Sequence, residues 1–289
     1  MPFVTLAGVD VHHVVAGPVD APAVLLLHHY HGNVATWRHV IAGLADTHRV
    51  IAFDRPGFGH TQRPRRGEWR QGNPYTREAT TRIAVQLLDH LGVDRAVLIG
   101  ASAGGTIALE TFARYPGRVE GLALIGPAIS GDPGPAPRLR PVLRTPPARA
   151  ALAFAARRAR RELGAERIGR WWHDPSRVSD EDVAIYRDAV SQPGWARALV
   201  ETMVSDAPPD LRSLLPRVDV PTLVVAGASD RRVRPEWNRR TAEAIPVARF
   251  VLLDGVGHTP HEERPDLFVE ALRPLLHAAH PSVDEPRPA

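Results

Sequence analysis

The chain has 289 residues, 44% hydrophobic side chains, no cysteine and a formal net charge of +4 at pH 7. Its length allows one substantial domain with a large core, with room for an insertion. The missing cysteine excludes disulfides, thiolate metal sites and a cysteine nucleophile.

The candidate strands are short apolar runs that alternate with helical patterns along the chain. They lie at residues 11–15, 24–28, 50–53, 97–100, 122–125, 222–226 and 250–253. Continuous apolar runs of this length are typical of strands buried on both faces of a parallel sheet. We therefore predict the α/β class, with a doubly wound and mostly parallel sheet.

Helical patterns lie between these runs. Thr36 is predicted to cap a helix that carries Val40 and Leu44, and Thr76 a second helix that ends at Gly92. A further helical pattern runs through residues 267–275.

The stretch at residues 97–105 carries the strongest chemical signal. An apolar run ends at Gly100, Ser102 follows with Gly104 behind it, and a helical pattern continues over residues 106–115. This is the G-x-S-x-G motif in strand–turn–helix order, the nucleophile elbow. The turn is sharp, so we expect that a Cβ at either glycine would clash. The motif predicts an exposed, reactive serine hydroxyl.

The alternation of strands and helices breaks between about residues 131 and 216. A proline-rich stretch opens this region, and helical patterns follow at residues 148–163, 165–172, 180–191 and 196–204. An unstructured loop of this length would be improbable inside a compact domain. We predict a helical cap at 131–215, a core formed by 1–130 and 216–280, and a disordered tail at 281–289.

Two further chemical candidates follow predicted strands. Asp230 comes after the strand at 222–226, and His258 after the strand at 250–253. A serine needs a base to take its proton, and the base needs an acid to orient it. Ligands of open α/β sheets bind at the carboxyl ends of strands, where all three side chains are expected.

Four segments in this order resemble the α/β-hydrolase superfamily, in its capped branch of esterases, lactonases, C–C hydrolases, epoxide hydrolases and haloalkane dehalogenases. They are the elbow, residues 53–59, residues 227–235, and Gly257-His258 followed by Glu262 and Pro265. The resemblance covers residues 1–130 and 216–278. It implies an eight-stranded, mostly parallel sheet with the cap inserted into it.

The resemblance also implies roles for the site residues. Ser102 would be the nucleophile, His258 the general base and Asp230 the orienting carboxylate. Haloalkane dehalogenases and epoxide hydrolases of this branch carry aspartate at the elbow, so the serine argues against both. We expect a serine hydrolase that cleaves a small-to-medium carboxylic ester or lactone through an acyl-enzyme.

An oxyanion hole needs two backbone N–H groups, which the resemblance assigns to Ala103 and Tyr30. Relatives usually carry glycine where this chain has His29, so the donor position could differ by one residue. Removing one such donor typically costs about 3–4 kcal/mol of transition-state stabilisation.

The substrate pocket is expected to include cap aromatic residues and a few core residues. The candidates are Tyr30, Trp171, Trp172, Val233 and Thr259, and in the cap also Tyr186, Trp195 and Met203. Each of these cap side chains is more readily explained as part of the cap core than as a substrate contact, because aromatic side chains dominate core burial.

Several alternatives stay open at this point. Asp132 occupies the other position from which some relatives supply the acid. His28, His29 and His31 invite a zinc site, but no carboxylate or cysteine at ligand spacing completes it. We therefore predict no metal and no cofactor. A C–C bond hydrolase on the same triad, or a ligand receptor without catalysis, would use the same fold.

The remaining expectations concern location and partners. The N-terminus lacks the pattern of a signal peptide, and runs such as residues 23–27 are too short to span a bilayer. All basic side chains are arginine, as is typical of a GC-rich bacterial genome. The arginines at 157, 158, 160 and 161 indicate a solvated helix face rather than a nucleic-acid site. We expect a cytoplasmic monomer or homodimer acting on a small molecule, without nucleic-acid or membrane partners.

Overall fold

The computed structural model describes residues 2–127, 129, 140–205 and 211–281. One eight-stranded sheet has the order β1-β2-β4-β3-β5-β6-β7-β8, and β2 is antiparallel to both of its neighbours while the other pairs are parallel. The strands are β1 Phe3–Leu6, β2 Val9–Ala16, β3 Ala23–Leu27, β4 Arg49–Phe53, β5 Ala96–Ala101, β6 Val119–Ile125, β7 Thr222–Gly227 and β8 Ala248–Leu253.

The α-helices that alternate with these strands cover both faces of the sheet. They are α1 Arg38–Leu44, α2 Arg77–His90, α3 Ala103–Arg114, α9 Pro235–Glu243, α10 Pro260–Glu263 and α11 Pro265–Ala279. Five more lie between β6 and β7: α4 Arg140–Leu143, α5 Pro146–Ala159, α6 Ala165–Gly169, α7 Asp180–Ser191 and α8 Trp195–Ser205. Short 3₁₀-helices occupy Val34–Trp37, Arg66–Glu68, Pro116–Arg118, Arg160–Glu162, Pro175–Arg177 and Arg212–Arg217.

Apolar residues on both faces of each central strand explain the two layers of helices. Along β3, Leu25 and Leu27 pack in one hydrophobic cluster with α2 and α3. Val24 and Leu26 point the other way, into a second cluster with α1 and α11. Alternate side chains of a strand face opposite sides of the sheet, so an unbroken apolar run needs cover on both. The structure confirms the predicted fold class.

The seven predicted strands are confirmed, with ends that differ by a few residues. β3 ends at Leu27 rather than at residue 28, and this places the next residues in the loop beside the elbow. The prediction missed β1, Phe3–Leu6, whose residues are mostly exposed and pair only with β2 at the sheet edge. An edge strand buries too little surface to require an apolar run.

The helix starts show one confirmed prediction and one wrong one. Thr76 caps α2, and its side chain accepts a hydrogen bond from the Ala79 N–H. Thr36 caps no helix, because it lies inside the 3₁₀-helix that Asn33 caps. Since α1 continues directly from that 3₁₀-helix, its start needs no separate side-chain cap.

The helices between β6 and β7 form an insertion with its own apolar cluster. Trp195, Leu199, Val183 and Val190 contribute to it, and Phe58 joins it from the loop after β4. The domain boundaries at 131 and 215 remain predictions. Asp132, most of the proline-rich stretch and residues 282–289 of the predicted tail lie outside the described residues. No helix among the described residues has both the length and the hydrophobicity to cross a membrane.

Candidate active site

The turn that carries Ser102 is strained. Ser102 joins β5 to α3 with φ 50° and ψ −112°, and Ala7 is the only other non-glycine residue with positive φ among the described residues. A Cβ on Gly100 would lie 2.4 Å from the carbonyl carbon of Gly104, and one on Gly104 would lie 1.9 Å from the Leu27 oxygen. The expected crowding at both glycines is confirmed. Strain of this kind persists only where the surroundings enforce it.

Asp230 and His258 form a buried hydrogen-bonded pair beyond the ends of β7 and β8. The Nδ1–H of His258 donates to Oδ2 of Asp230 at 2.7 Å. Oδ1 of the same carboxylate accepts the backbone N–H groups of Arg232 at 2.7 Å and Val233 at 3.0 Å. The loop thereby directs one carboxylate oxygen at the imidazole. This leaves Nε2 of His258 to exchange protons.

The structure brings Ser102 to the same place as this pair. The Ser102 N–H donates to the Ile125 oxygen at 2.7 Å. Gly126, the residue after Ile125, lies beside the Asp230–His258 pair. A Cβ on Gly126 would be 3.3 Å from Cε1 of His258 and 3.4 Å from Oδ2 of Asp230. Ser102 and His258 line one cavity of about 480 Å³, here called the serine cavity. A serine and a carboxylate-oriented imidazole therefore share one cavity.

The insertion contributes to holding His258. The backbone N–H of His258 donates to the Trp171 oxygen at 2.6 Å. Glu263 accepts the N–H of Gly257 at 2.7 Å and the N–H of Asp174 at 2.9 Å. Its carboxylate therefore ties the histidine loop to the insertion. Sequence reasoning missed Glu263, although its position five residues after the histidine was a usable signal.

The loop after β3 packs against the start of α3. His28 is neutral there, because Nε2 accepts the Arg55 N–H at 3.0 Å while Nδ1–H donates to the His29 oxygen at 2.8 Å. Burial holds the pKa of His28 well below its ordinary value. The backbone N–H groups of Tyr30 and Ala103 have no acceptor among the described residues. Their assignment as oxyanion donors remains a prediction.

His29, where relatives usually have glycine, joins a buried polar cluster between the core and the insertion. Its Nε2 lies 3.1 Å from Oε1 of Glu262 and 3.1 Å from the Tyr186 hydroxyl. That hydroxyl donates to the Glu262 carboxylate, 2.9 Å from each oxygen. Burial, and then the charge of Glu262, raises the pKa of Tyr186 well above its ordinary value, so the hydroxyl stays protonated. Nothing in the sequence indicated that these residues meet.

The three histidines considered for zinc have separate surroundings. His28 makes backbone hydrogen bonds, His29 binds Glu262, and the His31 ring stacks on Trp171 with centroids 5.8 Å apart and planes 4° apart. A different group, His29, His261 and Glu262, has potential ligand atoms within 4.8 Å of one another. Burial lowers the pKa of His261, which has no hydrogen-bond partner among the described residues. Among residues 2–127, 129, 140–205 and 211–281, these three side chains form the group whose ligand atoms lie close enough to hold a metal ion.

The predicted pocket residues divide between the cavities and the interior. Tyr30, Trp171 and Val233 line the serine cavity. Trp172 and Thr259 are buried and lie outside the described cavity linings, while Met203 is 46% exposed. Tyr186 and Trp195 line a second cavity of about 410 Å³, here called the cap cavity.

Comparison with known proteins agrees with this geometry. A profile of the alpha/beta hydrolase fold family matches residues 22–265. The chain is 32% identical over 253 residues to the magnesium-chelatase 30 kDa subunit of Rhodobacter capsulatus, covering 86% of this chain and 85% of that protein. It is 28% identical to the enol-lactonase of Burkholderia xenovorans LB400, with TM-score 0.74 and coverage of 95% and 99% of the two chains. It is also 28% identical to a thermophilic esterase of Thermogutta terrifontis, with TM-score 0.76 and coverage of 97% and 100%.

Proposed function

The chain belongs to the alpha/beta hydrolase fold family, and from that premise we propose that it is a serine hydrolase that cleaves a small-to-medium carboxylic ester or lactone. One observation carries the proposal. The strained Ser102 and the Asp230-oriented His258 line the same cavity. This is the constellation that acyl transfer to serine requires.

In the proposed mechanism, the Ser102 oxygen attacks the substrate carbonyl carbon while Nε2 of His258 takes the hydroxyl proton. The N–H groups of Ala103 and Tyr30 donate to the developing oxyanion. The tetrahedral intermediate collapses to an acyl-enzyme, and His258 gives its proton to the departing alkoxide. Water, deprotonated by the same nitrogen, then releases the acid and restores Ser102. A lactone follows the same steps, with its alkoxide still attached to the acyl group.

Asp230 acts through His258 in this scheme. Its carboxylate fixes the tautomer with the proton on Nδ1 and stabilises the imidazolium that forms when His258 takes the serine proton. The backbone N–H groups on Oδ1 keep the carboxylate in place, so little reorganisation accompanies the proton transfer.

Resemblance to proteins of known activity supports the substrate class. The enol-lactonase and the thermophilic esterase each align with nearly all of this chain. The serine at the elbow is consistent with both activities, because hydrolysis of an ester or a lactone needs an acyl group on the nucleophile. An aspartate at the same position would instead form an aspartyl ester.

The proposal is tested by labelling the folded protein with a fluorophosphonate and mapping the modified peptide. We expect the label on Ser102 and on no other serine. Ser102→Ala should lose the label and at least about 10⁴-fold of the ester kcat/KM. Ser176→Ala, which changes an exposed serine of the insertion, is the matched control. Labelling elsewhere, or none in folded protein, contradicts the proposal.

The bond that is cleaved is tested with three substrate types. Wild-type protein is assayed with aryl esters, with small lactones and with a vinylogous β-diketone. Turnover of esters or lactones is expected. Cleavage of the diketone without ester or lactone turnover would favour C–C hydrolysis, the alternative on the same triad. Tight ligand binding without turnover of any substrate would favour a receptor.

A further inference from the structure

The serine cavity continues into the insertion. It shares His31, Trp171 and Arg232 with the cap cavity, so the two cavities adjoin each other. The serine cavity holds Ser102 and His258, and the cap cavity reaches α5, α7 and α8 through residues such as Ala156, Val190 and Leu199. A substrate bound at Ser102 can therefore extend into the cap cavity.

Charge is distributed unevenly around this space. The described lining includes five arginines and no aspartate or glutamate. The arginines are Arg160, Arg167 and Arg170 of the insertion, with Arg231 and Arg232 from the loop after β7. Like charges in one cavity repel one another unless a counter-charge enters. The lining therefore favours an anionic ligand.

Three of these arginines have no ion pair among the described residues: Arg160, Arg231 and Arg232. Arg160 donates one hydrogen bond, to the Val190 oxygen at 3.3 Å. Arg167 and Arg170 do have carboxylate partners, at 3.7 Å and 3.0 Å, but those glutamates are exposed and lie outside the lining. Guanidinium groups thus remain available for a ligand carboxylate, which they can bind in bidentate fashion.

The positive charge reaches the junction of the two cavities. Burial, and then the charges of His29, Arg232 and Arg167, together lower the pKa of His31 to about 3. His31 is therefore neutral at working pH and stacks on Trp171 as a flat aromatic wall. Apolar side chains, Leu163, Val190, Trp195 and Leu199, form much of the remaining lining. An apolar chain that ends in an anion matches this combination.

The arginine cluster predicted to be a solvated helix face is divided by the structure. Arg157, Arg158 and Arg161 line only a shallow outer groove beside Phe154, whereas Arg160 also lines the cap cavity. All four arginines are exposed, as the solvated face predicts, and Arg160 alone of the four also lines the cap cavity. Arg158 is a natural control for Arg160.

We infer that the arginines of the adjoining cavities bind a carboxylate group of the substrate, so that the preferred esters or lactones carry a carboxylate several bonds away from the scissile carbonyl. This inference rests on the proposed function and names its substrate class. The anion enters with the substrate, the apolar segment lies along the cap cavity, and the carbonyl stays at Ser102.

The test compares pairs of esters that differ in one charge, and the first pair shares a leaving group. We expect wild-type kcat/KM for 4-nitrophenyl hydrogen adipate to exceed that for 4-nitrophenyl methyl adipate at least tenfold, because charge-assisted bidentate hydrogen bonds are strong. A second pair, 3-carboxyphenyl hexanoate and its methyl ester, places the carboxylate on the leaving group. A preference in either pair supports the inference and assigns the carboxylate to the acyl or the alcohol side. A ratio near one in both overturns it.

Arginine variants test the assignment. Arg232→Gln and Arg160→Gln should each lower the anionic-to-neutral ratio several-fold, and the double variant should bring it close to one. Arg158→Gln removes the same charge from the outer face and should keep the wild-type ratio. An unchanged ratio in the double variant, or an equal loss in Arg158→Gln, overturns the inference.

The inference can fail separately from the proposed function. Hydrolysis of the neutral esters reports on Ser102 chemistry alone. Binding is measured with Ser102→Ala by calorimetry, using monomethyl adipate against dimethyl adipate. We expect the monoanion to bind at least tenfold more tightly, and equal affinities would overturn the carboxylate site even if the neutral esters are hydrolysed.

Discussion

Each oxygen of Asp230 has a different task. Oδ1 accepts hydrogen bonds from two backbone N–H groups of its own loop, and Oδ2 accepts one from the Nδ1–H of His258. The loop geometry therefore aims the carboxylate, and the carboxylate aims the imidazole. Both side chains are buried, so water competes little for either hydrogen bond.

Replacing Asp230 with asparagine tests this arrangement. Asp230→Asn keeps the size of the side chain but removes the charge and permits the wrong His258 tautomer. We expect kcat for ester hydrolysis to fall about 10³–10⁴-fold, measured by steady-state kinetics. Asp254→Asn, which changes an exposed carboxylate just beyond β8, should change kcat less than twofold. A loss below tenfold in Asp230→Asn would contradict the orienting role.

One local pattern was sufficient to predict where three candidate site residues lie, and their catalytic roles remain predictions. Ser102, Asp230 and His258 each follow an apolar strand, and strand ends are visible in the sequence. Glu262 and Glu263 carry no such pattern, because their function depends on which distant side chains and N–H groups they meet.

At the scale of elements, α7 and α10 are joined by one buried hydroxyl. Tyr186 of α7 donates to Glu262 of α10, and Glu262 in turn binds His29 in the loop after β3. Arg38 of α1 makes a further contact with α7, at 2.6 Å from Asp182. The insertion is thus attached to the core through polar contacts near the elbow as well as through apolar packing.

Removing that hydroxyl should loosen the attachment. Tyr186→Phe leaves the ring and deletes the bonds to a buried carboxylate, so we expect the free energy of unfolding to fall by about 1.5–3 kcal/mol. Urea unfolding followed by circular dichroism measures it. Tyr115→Phe is the control, because the Tyr115 hydroxyl makes no hydrogen bond to any of the described residues. Equal stability of Tyr186→Phe and wild type would contradict the proposed attachment.

Element prediction was accurate for types and weaker for ends. The helix predicted at 180–191 has those limits in the structure, where Ser179 forms a capping box with Asp182. The helix predicted at 148–163 instead runs over Pro146–Ala159 and continues as a 3₁₀-helix. A strong side-chain cap defines a helix end through local contacts. The end of an alanine- and arginine-rich helix depends instead on the residues that it packs against.

At the scale of the whole molecule, three buried or partly buried histidines are held neutral. Burial is the largest cause of the lowered pKa of His28, His31 and His261. In the unfolded chain a histidine binds a proton below about pH 6.5. The unfolded state therefore binds more protons than the folded state as pH falls through this region, and folding stability falls with it.

The stability of the chain should accordingly decrease from pH 7.5 to pH 5.5. The pKa of His31 is about 3 in the folded protein. We therefore expect His31 to account for about 1 kcal/mol of the stability that is lost by pH 5.5, allowing for its partial exposure. Urea unfolding at several pH values above the range in which carboxylates titrate measures how the free energy of unfolding changes with pH. His31→Gln should show a smaller decrease than wild type, and His39→Gln, on an exposed position, should show the same decrease. A stability that rises or stays flat toward pH 5.5 would contradict the prediction.

The sequence by itself determined the fold class and the crowded, glycine-flanked turn at Ser102. These follow from local physics, since strand periodicity, the glycines at a strained turn and helix caps act over a few neighbouring residues. β1 was missed and the helix cap at Asn33 was misplaced by a few residues, because sheet edges and helix starts carry weaker local signals.

Only the tertiary structure decided what surrounds the serine. The contacts of His29 with Glu262 and Tyr186 join residues 157 to 233 positions apart, and no local pattern encodes such a distance. That Arg160 lines the cap cavity and Arg158 does not depends on how the helices of the insertion pack together. Burial of apolar surface decides which elements pack together. The polar side chains then pair with the groups that this packing brings near them.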